Sequence, residues 1–324
     1  MAKDAVVPDI EVVPFSDAWM EGYVDLLEGI DTRDPLYSRE VRTRDQIRSR
    51  VKLQIAAGST KVHLLAVDRG SLVGSARGLL IPTCGDEASR NATLVLHVAQ
   101  THRGRGIGTR LTNLVSDELR SQGVRGLEMG LLESWEDWKR FLGRLGFVPH
   151  DKFYDVILTP DVPLGGRLPE VSAAIRPVRL PEDRSRIIEL FNREHSRDFP
   201  RECKVVPGQP TWWEVEPYSD ILDPNGFLLA ENRTTGELVG FVDSYFFGGE
   251  KPWGLVECVD VAERFLGTGL QERLLLESLH WLRGRGAVEI KSRCHPDYRK
   301  EAALFEKAGF KVVNPAVVWR KTFS

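Results

Sequence analysis

A chain of 324 residues with 42% hydrophobic residues is long enough to bury two ordinary cores. Its formal net charge of −3 excludes a general attraction to nucleic acid or to an anionic membrane surface. No run reaches the apolar length of a membrane span and Met1-Ala-Lys-Asp lacks the pattern of a signal peptide, so the cytoplasm is the expected location. Cys84, Cys203, Cys258 and Cys294 have no metal-ligand spacing and are expected as thiols in a reducing compartment, with no metal bound.

In chain order, Ile10–Val13 reads as a strand, followed by helical stretches near 17–29 and 39–57. A hairpin comes next: 62–67, a turn at Asp68-Arg69-Gly70, then 72–81. Residues 93–99 form a strand that runs into Gln100-Thr101-His102-Arg103-Gly104-Arg105-Gly106-Ile107-Gly108-Thr109, and an amphipathic helix over 108–121 starts directly after. A strand at 127–132, a helix at 135–145 and a strand at 147–158 complete the first unit. The Pro/Gly-rich stretch 159–168 lacks periodicity. We therefore expect domains at 1–160 and 171–324, joined by a linker at 161–170.

The second half repeats this order: strand 174–178, helix 182–194, strands 227–231, 238–246 and 255–261, helix 267–283, strand 288–291, helix 297–307 and final strands from Phe310. Landmarks recur at near-constant spacing. Gly106 to Gly267 and Gly108 to Gly269 are each 161 positions, Leu145-Gly-Phe147 to Ala308-Gly-Phe310 is 163, and Gly70-Ser-Leu-Val-Gly74 to Gly236-Glu-Leu-Val-Gly240 is 166. Such spacing signals a tandem duplication of a whole domain. Residues 196–226 have no counterpart and carry Trp212, Trp213 and Tyr218 beside Glu214, Glu216, Asp220 and Asp223.

Glycines at alternate positions before a helix let the backbone approach an anion closely, and the open N–H groups of the helix hold it. Arg103 and Arg105 add charge-assisted donors, so the loop reads as a site for a diphosphate-bearing ligand. The third glycine of a dinucleotide fingerprint is missing, and no Gly-Lys-Ser/Thr follows as a nucleotide-binding P-loop requires.

Strand, Arg-x-x-Gly-x-Gly, helix, strand, helix and Gly-Phe, occurring twice, resembles the GNAT superfamily of acyl-CoA-dependent N-acyltransferases. Arg103, Gly106 and Gly108 match the motif in the first unit; Arg264, Gly267 and Gly269 match it in the second. The resemblance implies a mixed α/β (α+β) fold of two tandem GNAT domains. Each would have a mostly antiparallel central sheet flanked by helices. It further implies acetyl transfer from acetyl-CoA, the co-substrate, directly to a small-molecule or peptide amine. Val98, Ala99, Arg103, Gly104, Arg105, Gly106, Ile107, Gly108 and Thr109 would hold the carrier in the first unit. Val259, Arg264, Gly267, Thr268 and Gly269 would do so in the second. A backbone N–H at Val98 or Ala99 would polarise the thioester carbonyl.

Both units depart from the family pattern. The Tyr four residues before the Gly of Gly-Phe is Leu142 in one and Phe305 in the other. The acid or base eleven residues before the motif Arg is Ala92 or Trp253. Glu257, His97 and Tyr298 are the candidate catalytic replacements, with His295 and Tyr154 behind them. Glu257 is expected to face the cleft among apolar neighbours that raise its carboxyl pKa. His97 has the strand parity of a packed core residue. The segment from Trp212 to Asp223 reads equally as a pocket for a cationic amine or as an apolar plug. With Gly104 and Arg105 in place, the first unit is the expected tighter carrier site. The rival reading is an acyl-CoA-binding or scaffolding protein without turnover.

Overall fold

The computed structural model describes residues 10–29, 44–56, 60–80, 91–164, 168–198, 205, 211–214, 218–294 and 299–323. Two compact units emerge. Of the described residues, the first takes those up to Asp151 together with 317–323, and the second takes 152–316.

The first unit begins with strand β1 (Ile10–Pro14), helix α1 (Met20–Glu28), helix α2 (Arg44–Ala56), and strands β2 (Thr60–Asp68) and β3 (Ser71–Leu79). Strand β4 (Asn91–Val98), helix α3 (Ile107–Ser121), strand β5 (Gly126–Leu132) and helix α4 (Glu136–Arg144) follow. Its strands run in the order β1-β2-β3-β4-β5, and the end of β12 (Lys311–Thr322), the last strand of the chain, lies next to β5. All pairings from β1 to β4 are antiparallel, and β4–β5 is parallel. Alternation along β4 sends Leu94 and Leu96 to the face covered by α3, where Leu111, Val115 and Leu119 complete the core with Leu127, Met129 and Leu131 of β5. On the opposite face, Tyr23, Val24 and Leu27 of α1 pack with Ile47 and Val51 of α2 over Leu65. Close helix–sheet contact needs glycine at Gly74, where a Cβ would come within 3.2 Å of Ile107 and 3.3 Å of Leu111.

The second unit takes strand β6 (Val148–Leu158) from Lys152 onward and adds β7 (Ala173–Pro177), helix α5 (Arg184–Asp198), the short helix α6 (Tyr218–Ile221), and strands β8 (Phe227–Asn232), β9 (Leu238–Phe247) and β10 (Trp253–Val261). Helix α7 (Leu270–Gly284), strand β11 (Glu289–Cys294) and helix α8 (Arg299–Lys307) complete it, with sheet order β6-β11-β10-β9-β8-β7.

The closing strands are exchanged. The division expected at 160 keeps each with its sequence neighbours. Instead β6 pairs with β11 of the second unit, from Leu158↔Ile290 to Tyr154↔Cys294. In return, Trp319 and Phe323 pack on the core of the first unit, Phe323 N–H bonds Arg125 O at 2.7 Å, and Arg320 pairs with Glu128.

Candidate functional site

The ladder between β4 and β5 covers only Asn91↔Gly126 to Thr93↔Glu128, so the two strands part beyond Thr93. Ala99 N–H donates to Val73 O at 2.9 Å, which makes Gly74↔Val98 a non-hydrogen-bonded pair. The N–H and C=O of Val98 therefore point away from β3 and into the gap. The carbonyl accepts from Arg103 Nε at 3.1 Å. Of the two amides expected to polarise a carbonyl, that of Ala99 is consumed in the sheet and that of Val98 is the one presented.

Beyond the gap, Gly104 and Gly106 sit at φ +75° and +81°, conformations that a Cβ disfavours. Gly106 caps α3, and Arg110 N–H is the donor that meets Gly106 O, at 3.0 Å. Ile107, Gly108 and Thr109 are thus the opening residues whose amides face outward at the positive end of the helix. A cleft of about 690 Å³ lies there, lined by Leu96, His97, Val98, His102, Arg103, Gly104, Gly106, Ile107, Gly108 and Thr109 on one side, and by Asp137, Trp138, Arg140, Phe141 and Arg144 of α4 on the other. That volume lies within the range of small-molecule sites. A Cβ at Gly108 would be 3.4 Å from the Phe141 ring, so this glycine keeps the passage between the walls open.

Most of the residues expected in the first unit meet in this one cleft. Ala99 and Arg105 are outside its lining; the Arg105 guanidinium turns toward Asp68, 3.5 Å away. His97 lines the cleft yet is only 3% exposed, and burial first, then the charges of Arg77 and Arg103, holds its imidazole neutral far below the usual histidine range. Behind it, His63 is pulled down to about 2 by burial and by Arg77, and its Nε2 bonds Ser75 Oγ at 3.0 Å. Ala92 and Leu142, at the positions of the missing family acid and base, are fully buried.

The second loop has the same backbone but a different sequence register. Gly267 and Gly269 take φ +75° and +85°, Gly269 caps α7, Arg273 N–H bonds Gly269 O at 2.9 Å, and Ala262 N–H bonds Val239 O. These features match Gly104, Gly106, Arg110 and Ala99, a constant offset of 163. The motif match at 161 is therefore two residues out. Leu266 stands in place of Arg103, Thr268 of Arg105, Gln271 of Gly108 and Glu272 of Thr109. Arg264 lies one turn earlier, paired with Glu237 and stacked on Phe265. Thr268 Oγ1 donates to Phe265 O at 2.7 Å. Gln271 reaches Val259 O at 3.5 Å, across the space that Gly108 leaves empty. Glu272 puts a carboxylate in the first turn of α7 and pairs with Lys307 at 2.8 Å, while Pro169 lies 3.2 Å from where a Gly269 Cβ would be. The start of α7 thus carries Gln271 and Glu272 where the start of α3 has Gly108 and Thr109.

Glu257 is exposed, against expectation. The β10–β9 register shifts between Val256 and Cys258, so Glu257 is the extra residue of a bulge and escapes the apolar environment that would have raised its pKa. Tyr298 and His295 lie outside the described residues. Tyr154 pairs across to Cys294 in the second unit. Trp213 is buried against Phe227, and Arg184 holds Glu214 down at about 2 by a paired hydrogen bond. Trp213 serves the core and Glu214 an ion pair at the surface; Glu216 and the side chains of Trp212, Tyr218 and Asp220 lie outside the described residues. Burial pushes the Cys294 thiol up to about 12, which keeps it protonated and unsuited to nucleophilic attack. Cys84 and Cys203 are outside the described residues. Among the described residues no helix is long and apolar enough to cross a membrane, and no cluster of His, Cys, Asp and Glu has metal-site geometry.

Sequence reasoning missed the α4 wall. Its signal was present as aromatics every third residue, Trp135, Trp138 and Phe141, interleaved with Arg140 and Arg144.

The model of the acetyltransferase (GNAT) family matches twice, at residues 24–147 and 185–310. The mycothiol acetyltransferase of Rhodococcus erythropolis is 28% identical over 268 residues, covering 79% of this chain and 83% of that protein. The mycothiol acetyltransferase of Kocuria rhizophila is 26% identical over 277 residues, covering 82% and 85%. The fold is shared with a tandem GNAT protein from the clavulanic acid biosynthesis pathway (TM-score 0.72, 17% identity, 97% and 98% of the two chains) and with a GCN5-related N-acetyltransferase from Sphaerobacter thermophilus (TM-score 0.70, 19% identity, 97% and 96%). The parted strands, the glycine-capped helix and two family matches in tandem make this chain an N-acyltransferase that belongs to the acetyltransferase (GNAT) family.

Proposed function

We propose that the first unit binds acetyl-CoA and transfers its acetyl group to an amine, and that the second unit is a structural copy without a carrier site. The observation that carries this reading is the cleft of the first unit, where the amides of Ile107, Gly108 and Thr109 and the Arg103 guanidinium converge beside the strand gap. A diphosphate fits that donor set: N–H groups at a positive helix end, and a planar cation on the rim. The second unit offers the same backbone with Leu266, Gln271 and Glu272 in the way.

The thioester arm then runs into the gap, with its carbonyl oxygen at the Val98 N–H, which stabilises negative charge as the amine nitrogen adds to the carbon. The carbon–sulfur bond breaks, the amine proton leaves and the thiolate is protonated. His97, neutral and at the cleft edge, is the side chain we assign to accepting a hydrogen bond from the incoming amine and orienting it, while the amine proton leaves to water. With Leu142 buried where a tyrosine would serve, the thiolate takes its proton from solvent. The acceptor falls in the class of small-molecule or peptide amines, and the cytoplasm is the proposed compartment.

The test is release of thiol from acetyl-CoA across a broad panel of amines. Turnover that is lost in His97→Gln while carrier binding is kept supports the assignment. Carrier binding with no thiol release for any amine overturns transfer and leaves a binding protein.

A further inference from the structure

The second wall of the cleft has a chemistry that the diphosphate and the thioester arm do not use. Trp135, Trp138 and Phe141 form a ladder along α4, with Trp135 and Trp138 rings 6.4 Å apart at 27° and Trp138 and Phe141 rings 5.7 Å apart at 87°. Trp138 lines the cleft between its two aromatic neighbours, and Phe141 faces the glycine loop across Gly108. Arg140 and Arg144 are exposed one turn apart on the same lining. Arg140 neutralises Asp137, the one acid of the lining, and Arg144 makes no ion pair among the described residues. A flat, electron-rich wall edged by two guanidiniums suits a flat heterocycle carrying a phosphate dianion.

The chain holds its own control. At the same positions of α8 the second unit has Glu301 for Trp138, Ala303 for Arg140, Leu304 for Phe141, and Lys307 for Arg144 already tied to Glu272. The aromatic ladder is absent from the second copy, and the one cation it has there is already paired.

We propose that the α4 wall of the first unit reads the nucleotide end of the carrier: Trp138 stacks on adenine, and Arg140 with Arg144 holds the ribose 3′-phosphate. This rests on the reading of the cleft as an acyl-CoA site. It makes the unit selective for acetyl-CoA over its 3′-dephospho form, and Arg140 and Arg144 specificity determinants.

Titration calorimetry of the full chain with acetyl-CoA and with 3′-dephospho-acetyl-CoA tests it, in wild type, Arg140→Gln/Arg144→Gln and Trp138→Ala. In wild type the dephospho form should bind about tenfold more weakly, as expected for lost hydrogen bonds between charged groups. The double variant should weaken acetyl-CoA to the dephospho value and leave the dephospho affinity unchanged, a pattern that mere structural damage would not give. Trp138→Ala should weaken both about tenfold, keeping their ratio. Equal wild-type affinities, or a preference that survives in the double variant, overturn the phosphate assignment. Unchanged affinities in Trp138→Ala overturn the stacking. If wild type binds neither compound, the carrier reading itself fails with it; if it binds both equally, that reading stands and this one falls.

Discussion

Gly106 and Gly269 occupy the same left-handed conformation at the start of equivalent helices, so valine at either costs a similar 1–2 kcal/mol or so of backbone strain. Their effects on the carrier should nevertheless differ. Gly106→Val is expected to abolish acetyl-CoA binding, and Gly269→Val to leave it within about twofold, by calorimetry on folded protein. Gly108→Gln copies the residue of the second unit into a place where the backbone is unstrained and Phe141 is at ordinary contact distance. It should cost little stability and weaken the carrier at least about tenfold. The two buried imidazoles give a third expectation. Burial holds His63 and His97 neutral in the fold, far below the unfolded value near 6.5, so the unfolded chain binds more protons below that pH. Stability is therefore intact above pH 6.5 and should fall by roughly 1 kcal/mol per pH unit per histidine below it. Denaturant melts from pH 7 to 5 check this; the slope should shrink in His97→Gln.

At the scale of elements, the exchanged strand makes a distant segment part of the proposed carrier site's own domain. Gly126 leaves just enough room for it: a Cβ there would lie 2.6 Å from Lys321 O. Gly126→Ala should cost about 1–3 kcal/mol through overpacking. Ending the chain at Ala316 removes Trp319 and Phe323 from the core beside β5 and should lower stability by at least about 2 kcal/mol, with loss of acetyl-CoA binding. Nothing in the sequence told which sheet edge β6 and β12 would join. Alternation fixes which face of a strand is buried, and 147–158 alternates equally well as the edge of either sheet. The glycine loop was legible because φ > 0 at a helix cap selects Gly at Gly104 and Gly106. That same rule misled the repeat alignment. Gly-x-Gly occurs in both units, and the extra residue at Glu257, invisible without register, shifts the frame within β10. His97 was read by parity as a core residue, and parity does place it in the interior; its position at the cleft edge depends on where β4 and β5 separate, which the sequence does not encode locally.

For the molecule as a whole, duplication produced two domains with one backbone plan and unequal chemistry. Unit one keeps the arginine at the strand end, the bare helix start and an aromatic, cationic α4; unit two has Leu266, Gln271, Glu272 and Ala303 in the corresponding places. The family and the fold follow from the tandem matches, and the proposed division of labour rests on these side chains. One carrier per chain is the most direct consequence. Calorimetric titration of the intact protein with acetyl-CoA should give a stoichiometry near one, lost in Gly106→Val and retained in Gly269→Val. A stoichiometry near two, or binding that disappears with the Gly269 variant and survives the Gly106 variant, would contradict the account.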